Sequence, residues 1–294
     1  MKKILKIKQP NHFRFDACLN FLDRGYDECL YQVNKTSVLR LIRLSSGLML
    51  IQVESDAAFL IVSSNSEVTD TDICEIRDYV DDWFDVSRDI SQFYYLLNKD
   101  KITQDFPNKY YGLRLMGIVD LFEALCWCVI GQQINLTFAH KIKSRLVHEY
   151  GDKIQYKGND YYCFPTPEVL VNAATQDLVG MQFSKQKIAY TQNIARAFCD
   201  GEFVKTDLLK MTKNQQMEKL LAIKGIGPWT ANYVSMKSLR NMSCIAYGDT
   251  GLSSALHNLY GTEKKPNNQT IDMIFKPFSG WESYFNFYLW KTLS

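Results

Sequence analysis

Charge of one sign is what this 294-residue sequence has least of: 34 Lys and Arg against 32 Asp and Glu leave a net charge of +2. A chain that coats a polyanion electrostatically is usually more basic. Any nucleic-acid surface must therefore be local, with backbone N–H groups supplying part of the phosphate binding. Cysteines at metal or redox spacing are missing as well. None of Cys18, Cys29, Cys74, Cys126, Cys128, Cys163, Cys199 and Cys244 forms a C-x-x-C pair. The close pair Cys126 and Cys128 sits in an apolar helical run that turns the two thiols to different faces. Neither a zinc site nor a disulfide is favoured, so no metal is expected, and the thiols read as reduced, mostly buried groups of a cytosolic protein. No run is long and apolar enough to span a bilayer, so no membrane partner is expected. The first ten residues, MKKILKIKQP, interleave Lys with apolar side chains and read as neither a signal peptide nor an anchor. Internal repeats and low-complexity tracts are also absent, so repeat architectures do not apply.

What is present is a globular composition, 46% hydrophobic and 22% charged, rich in rings with 17 Phe, 17 Tyr and 5 Trp. Most rings must be core, yet a surplus of this size leaves enough for a pocket that stacks on a flat ligand. Residues 28–33, 37–44, 48–54 and 58–63 are short, β-branched or aromatic runs separated by Asn/Lys, Ser/Gly and Ser/Asp breaks. They read as antiparallel strands. Helical patterns at 15–23 and 71–84 flank them. Beyond residue 100 apolar residues recur at helical spacing in 119–129, 136–150, 167–174, 185–198, 215–223, 228–238 and 251–260, with Gly or Pro between. Only a segment around 156–162 resists a helical reading. The expected architecture is an α+β N-terminal domain over 1–96, a small antiparallel sheet with helices, followed by a mostly α-helical region over 97–294.

The sharpest local pattern is Leu220-Leu221-Ala222-Ile223-Lys224-Gly225-Ile226-Gly227-Pro228-Trp229-Thr230-Ala231. A short amphipathic helix runs into Gly-Ile-Gly and a second helix starts at once. Both glycines permit positive φ and close approach of a partner to bare backbone. Ile226 can turn inward to pin the turn, and Pro228 suits the first helical position. Free N–H groups at Gly225, Gly227 and the first turn through Thr230, together with the helix dipole, form an anion site suited to a DNA phosphate. A bare Gly-x-Gly also serves as a ligand-free turn; the flanking Leu-x-x-Ile and Thr-Ala favour a DNA-binding helix-hairpin-helix over 215–238. That motif by itself does no chemistry.

Just beyond it, residues 244–251 read Cys-Ile-Ala-Tyr-Gly-Asp-Thr-Gly, and Asp249 stands 20 residues after Trp229. Asp249 suits a helix N-cap, a position where the dipole also favours its charge. The segment resembles the Gly/Pro-rich loop and catalytic aspartate of the helix-hairpin-helix DNA glycosylase superfamily. The resemblance, to the 3-methyladenine DNA glycosylase II (AlkA) type, extends to Tyr111-Gly112-Leu113-Arg114-Leu115, to Val119-Asp120-Leu121-Phe122-Glu123 and to Ile130-Gly131-Gln132-Gln133-Ile134. It also takes in Cys163-Phe164-Pro165-Thr166-Pro167 and Ser184-Lys185-Gln186-Lys187.

The resemblance implies that Asp249 stabilises an oxocarbenium-like sugar and orients water. It implies a base pocket of Trp229, Tyr233, Phe21 and Trp290, of which Trp229 and Tyr233 share a helix face at i and i+4. Gln132 and Gln133 would form the turn entering the minor groove; the family's wedge is usually apolar, and Gln133 departs from it. Superfamily members that also cut the strand carry Lys where this chain has Trp229, so the implied enzyme is monofunctional, with water as nucleophile. With no cysteine after Cys244, the four-cysteine iron–sulfur loop of other branches is absent. No cofactor is required, although family members hold a monovalent cation on hairpin carbonyls. The expected partner is double-stranded DNA with damaged, alkylated bases, bound by a monomer at the nucleoid in the cytoplasm. An 8-oxoguanine glycosylase and a non-catalytic DNA-structure-binding protein are the alternatives.

Overall fold

In the computed structural model, which describes residues 1–262 and 264–293, the alternating N-terminal runs become a five-stranded antiparallel sheet. Its strands are β1 (Lys2–Lys8), β2 (Tyr31–Val33), β3 (Ser37–Leu44), β4 (Gly47–Ser55) and β5 (Phe59–Ser64), in the order β1-β5-β4-β3-β2. The first strand is the departure from expectation. Its charged, alternating sequence buries Leu5 and Ile7 while its lysines stay outside, and it pairs with β5 from Lys2↔Ser64 to Lys8↔Phe59. A Lys-studded strand is a common way to blunt a sheet edge against unwanted pairing.

Helices α1 (Phe15–Leu22) and α2 (Asp70–Phe84) lie where the periodicity put them, and α2 opens on a capping box between Thr69 and Asp72. Two short helices, α3 (Ser91–Lys99) and α4 (Phe106–Lys109), were not apparent in the sequence. Then follow α5 (Leu121–Gly131), capped by Asp120, and α6 (Leu136–Tyr150), capped by Asn135. The ambiguous segment is a hairpin of β6 (Lys153–Tyr156) and β7 (Asn159–Tyr162). It covers the outer face of β3, where Leu39, Leu41 and Leu50 meet Tyr161 and Cys163. That cover explains why β3 is buried along nearly its whole length.

The helical region continues with α7 (Pro167–Val171), α8 (Thr175–Gly180), α9 (Lys185–Cys199), α10 (Lys205–Leu209), α11 (Lys213–Leu221), α12 (Pro228–Lys237), α13 (Thr250–Tyr260), α14 (Asn268–Phe275) and α15 (Glu282–Lys291). Two main cores result. One packs residues of α5 to α12 around Leu125, Ile142, Ile194 and Val234. The other joins the sheet and α1 to α4 with the chain's last helices, Phe93 and Tyr94 meeting Tyr284 and Tyr288. Packing therefore crosses the 96/97 division, and α15 brings side chains from the end of the sequence to the seam between the cores. No helix of the described residues is long and apolar enough to cross a membrane.

Candidate active site

The turn between α11 and α12 is shaped by one strained glycine. Gly225 has φ +106°, and a Cβ there would lie 2.3 Å from Cγ of Tyr190, so the ring of α9 packs on bare backbone. Gly227 does not use the positive φ that glycine permits. Its φ of −97° and ψ of 176° are ordinary extended geometry, since it is the N-cap of α12 rather than a left-handed turn residue. A Cβ at Gly227 would meet nothing within 4 Å. Close approach, not conformation, is the use left for that glycine.

Between the two, Ile226 is buried and its N–H is bonded to the Ile223 carbonyl. Thr230 is buried as well, so both side chains point into the core, while Lys224 and Pro228 are exposed beside the backbone of Gly225 and Gly227. The N–H groups of Gly225 and Gly227 have no hydrogen-bond acceptor among the described residues. With the first turn of α12 they form an outward-facing donor set at a helix N-terminus. The turn after α5 is tied to this hairpin, because Gln132 Nε2 donates to the Gly225 carbonyl at 3.2 Å. Gln133 is exposed at the tip of that turn with φ +58°. Buried Lys187 donates to the Ile130 carbonyl at 2.7 Å, closing the end of α5 from behind.

From the hairpin, α12 carries Trp229 and Tyr233, whose ring centroids lie 5.5 Å apart. Trp290 of α15 completes the wall, 5.8 Å from Tyr233. Asp249 stands at the N-cap of α13 and takes three N–H donors: Leu252 N at 2.6 Å and Trp290 Nε1 at 2.8 Å on Oδ1, and Trp229 Nε1 at 3.2 Å on Oδ2. The cap and active-site readings of Asp249 are thus compatible. Its carboxylate is held by the indole N–H groups of both tryptophans of that wall. Gly251 leaves the necessary room, since a Cβ there would lie 3.0 Å from Asp249 Oδ1 and 3.5 Å from Trp290 Cδ1.

Sequence reasoning missed the residues that set this geometry from α15. Buried Ser283 Oγ accepts from Cys244 N at 3.1 Å, and buried Asn286 Oδ1 accepts from Ala246 N at 2.9 Å. They dock the loop carrying Asp249 onto the helix carrying Trp290. Their only signal is polarity inside an otherwise aromatic helix. Phe21 is placed differently from the other three rings. It is buried against Phe287 at 4.7 Å, and the Arg24 guanidinium lies 4.3 Å from its centroid. It therefore packs apart from the Trp229–Tyr233–Trp290 stack, in contact with Phe287 and Arg24. Burial raises the Tyr233 hydroxyl well above its ordinary pKa, so it stays protonated.

Among the described residues no group of three or more His, Cys, Asp or Glu side chains could hold a metal ion. All eight cysteines are free and five are buried. The site offers a half-buried carboxylate fixed by N–H donors, a stack of electron-rich rings beside it, and, at the start of the helix that carries two of those rings, backbone N–H groups without an acceptor among the described residues.

Two family models match the chain. The 8-oxoguanine DNA glycosylase N-terminal domain matches residues 1–125, and the HhH-GPD superfamily base excision DNA repair protein matches residues 126–279. A Bacillus subtilis protein named DNA-3-methyladenine glycosylase is 35% identical over 99% of this chain and 97% of its own length. The solved 3-methyladenine DNA-glycosylase of Archaeoglobus fulgidus superposes with a TM-score of 0.86 at 21% identity, covering 98% of this chain and 97% of that one. An 8-oxoguanine glycosylase/lyase of Clostridium acetobutylicum bound to DNA shares the fold at a TM-score of 0.69 and 20% identity, over 90% of this chain and 97% of that one. The chain belongs to the HhH-GPD superfamily of base excision DNA repair proteins, a family of N-glycosylases.

Proposed function

We propose that the protein is a monofunctional DNA glycosylase that hydrolyses the N-glycosidic bond of flipped-out alkylated purines, of the 3-methyladenine and 7-methylguanine type, and leaves an abasic site. The observation that carries this reading is the Asp249 carboxylate held between the indole N–H groups of Trp229 and Trp290. The whole-length relative named for 3-methyladenine supports the lesion class.

The base must leave the duplex to be reached. Backbone N–H groups at Gly225 and Gly227 hold a phosphate, and Gln133 enters the space the base vacates. Alkylated purines carry positive charge, and electron-rich rings favour such a cation by about 0.5–2 kcal/mol per good contact. A cationic base is already a good leaving group, so no strong general acid is needed. As the bond breaks, positive charge moves to the sugar, where the Asp249 carboxylate stabilises it and orients the attacking water. Trp229 carries no amine, so no Schiff base forms at that position. The partner is double-stranded DNA with damaged bases, bound by a monomer.

The N-terminal family match raises 8-oxoguanine as a second reading. Of the four rings, however, that match contains Phe21 only, and the stack beside Asp249 lies outside it. Incubation with methylated genomic DNA should release free methylpurines and leave the strand intact. Release of 8-oxoguanine alone from oxidised DNA, or a covalent adduct trapped by borohydride, would contradict the proposal.

A further inference from the structure

Trp229, Tyr233 and Lys237 stand at i, i+4 and i+8 on α12, so they line one face of the helix. The first two form the aromatic wall. The third places an amine where the helix enters the seam with the sheet domain. Lys237 is 6% exposed. Its Nζ donates to the Met116 carbonyl and lies 5.6 Å from the centroid of Phe21 and 5.0 Å from that of Phe287. No carboxylate among the described residues pairs with it, and an ammonium with one acceptor leaves two donors unspent. Buried lysines normally find a counter-ion. One without it, beside a ligand pocket, is a candidate for function.

We propose that Lys237 sets the charge preference of the base pocket: its ammonium opposes a base with a fixed positive charge and offers a donor to a neutral base that presents an acceptor. The inference rests on the reading that the flipped base lies against Trp229 and Tyr233. Burial, and then the like charge of Arg24, push the amine down to about 7. The groups facing it are Phe21 and Arg24 from α1 and the following loop, Phe287 from α15, the Met116 carbonyl, and Tyr233 on its own helix. Burial keeps the Tyr233 hydroxyl neutral, so the change near neutrality belongs to Lys237. Phe21, which the resemblance assigns to the base pocket, lies 5.6 Å from the amine, and that contact ties Lys237 to the pocket.

The test compares single-turnover release of 3-methyladenine, whose charge in DNA is fixed, with release of hypoxanthine, which is neutral and presents a carbonyl. Wild type, K237M and K237R are assayed from about pH 6 to about pH 8. In wild type the ratio of methylated to neutral base released should rise with pH, by roughly tenfold, the order of effect one unit charge has on another in a half-buried site. In K237M, which keeps the side-chain volume, the ratio should be high and flat; in K237R it should be low and flat. Equal ratios and equal pH profiles in wild type and K237M would overturn the role of Lys237 while leaving the glycosylase reading intact. Release of neither base by wild type would overturn that reading, and this inference with it. Should K237R fail to fold, the comparison of wild type with K237M decides alone.

Discussion

The hairpin at Gly225–Pro228 and the cluster around Asp249 are joined by a single helix, yet they use opposite parts of the chain. At the hairpin the side chains of Ile226 and Thr230 turn inward, and the N–H groups of Gly225 and Gly227 are left without an acceptor among the described residues. At the cluster it is side chains that are presented: two indoles, a phenol and a carboxylate that accepts from both indole N–H groups and from Leu252 N. A backbone site grips any phosphate and carries no base preference. A side-chain site tolerates little change in chemistry but depends on distant residues for its geometry. Substitutions should separate the two: those at the hairpin should alter stability or salt-dependent binding, those at the cluster turnover.

The largest effect is expected from Asp249→Asn. Asn is as good an N-cap as Asp, and its oxygen can keep the bonds from Leu252 and Trp290, so α13 should remain intact. The charge opposite the developing oxocarbenium is lost. Excision should fall by on the order of 10²–10³-fold while affinity for an abasic-site duplex is kept. Retained turnover would erase the functional distinction between cluster and hairpin.

The two glycines of the hairpin should then part company. Gly225→Ala meets both a φ of +106° and the Tyr190 ring, and should lower stability by about 1–3 kcal/mol, read as a lowered melting temperature. Gly227→Ala meets neither. It should cost under about 1 kcal/mol as a poorer cap, yet weaken DNA binding about tenfold by crowding the donor set, with a shallower salt dependence. Equal melting temperatures for the two variants would show that Gly225 is not conformationally required.

These contrasts also explain how much could be read beforehand. Trp229, Tyr233 and Asp249 were legible because they sit in or a fixed distance beyond a local motif. Trp290 came only from resemblance, since Glu282–Lys291 is buried on nearly every side and a helix buried all round shows no amphipathic period. Ser283 and Asn286 were invisible for a related reason: their partners are backbone groups about 40 residues away in sequence. Lys187, Tyr190 and Lys237 are likewise defined by what tertiary packing brings to them. The strand at Lys2–Lys8 was passed over because its charges dominated its alternation. Which of the two glycines uses its left-handed freedom could not be read from sequence, because glycine permits that conformation without requiring it.

Within the cluster, Trp290→Phe should keep a stacking face and remove one N–H donor from Asp249 Oδ1. A net loss of about 1 kcal/mol for that bond corresponds to roughly fivefold in the single-turnover rate. Trp229→Phe removes the longer 3.2 Å bond and should lose less. If instead both variants lose binding and not rate, the indoles serve the base alone and the carboxylate does not depend on them.

The smallest effect tests the join between the regions. Gln132 Nε2 reaches the Gly225 carbonyl at 3.2 Å from a half-buried position, a neutral bond at the long end of the useful range, worth about 0.5 kcal/mol. Removing it in Gln132→Ala leaves the donor set of the hairpin and the rings of the cluster untouched, so neither phosphate affinity on undamaged DNA nor the melting temperature should move measurably. What should change is the registration of the turn carrying Gln133 against the hairpin, and with it the extrusion of the base. Roughly twofold slower excision from a fully paired duplex, with no change when the lesion sits opposite a gap that needs no opening, would place the coupling in base extrusion. An equal slowing on both substrates would place it in the cluster, and the two regions would then be less separable than their geometry indicates.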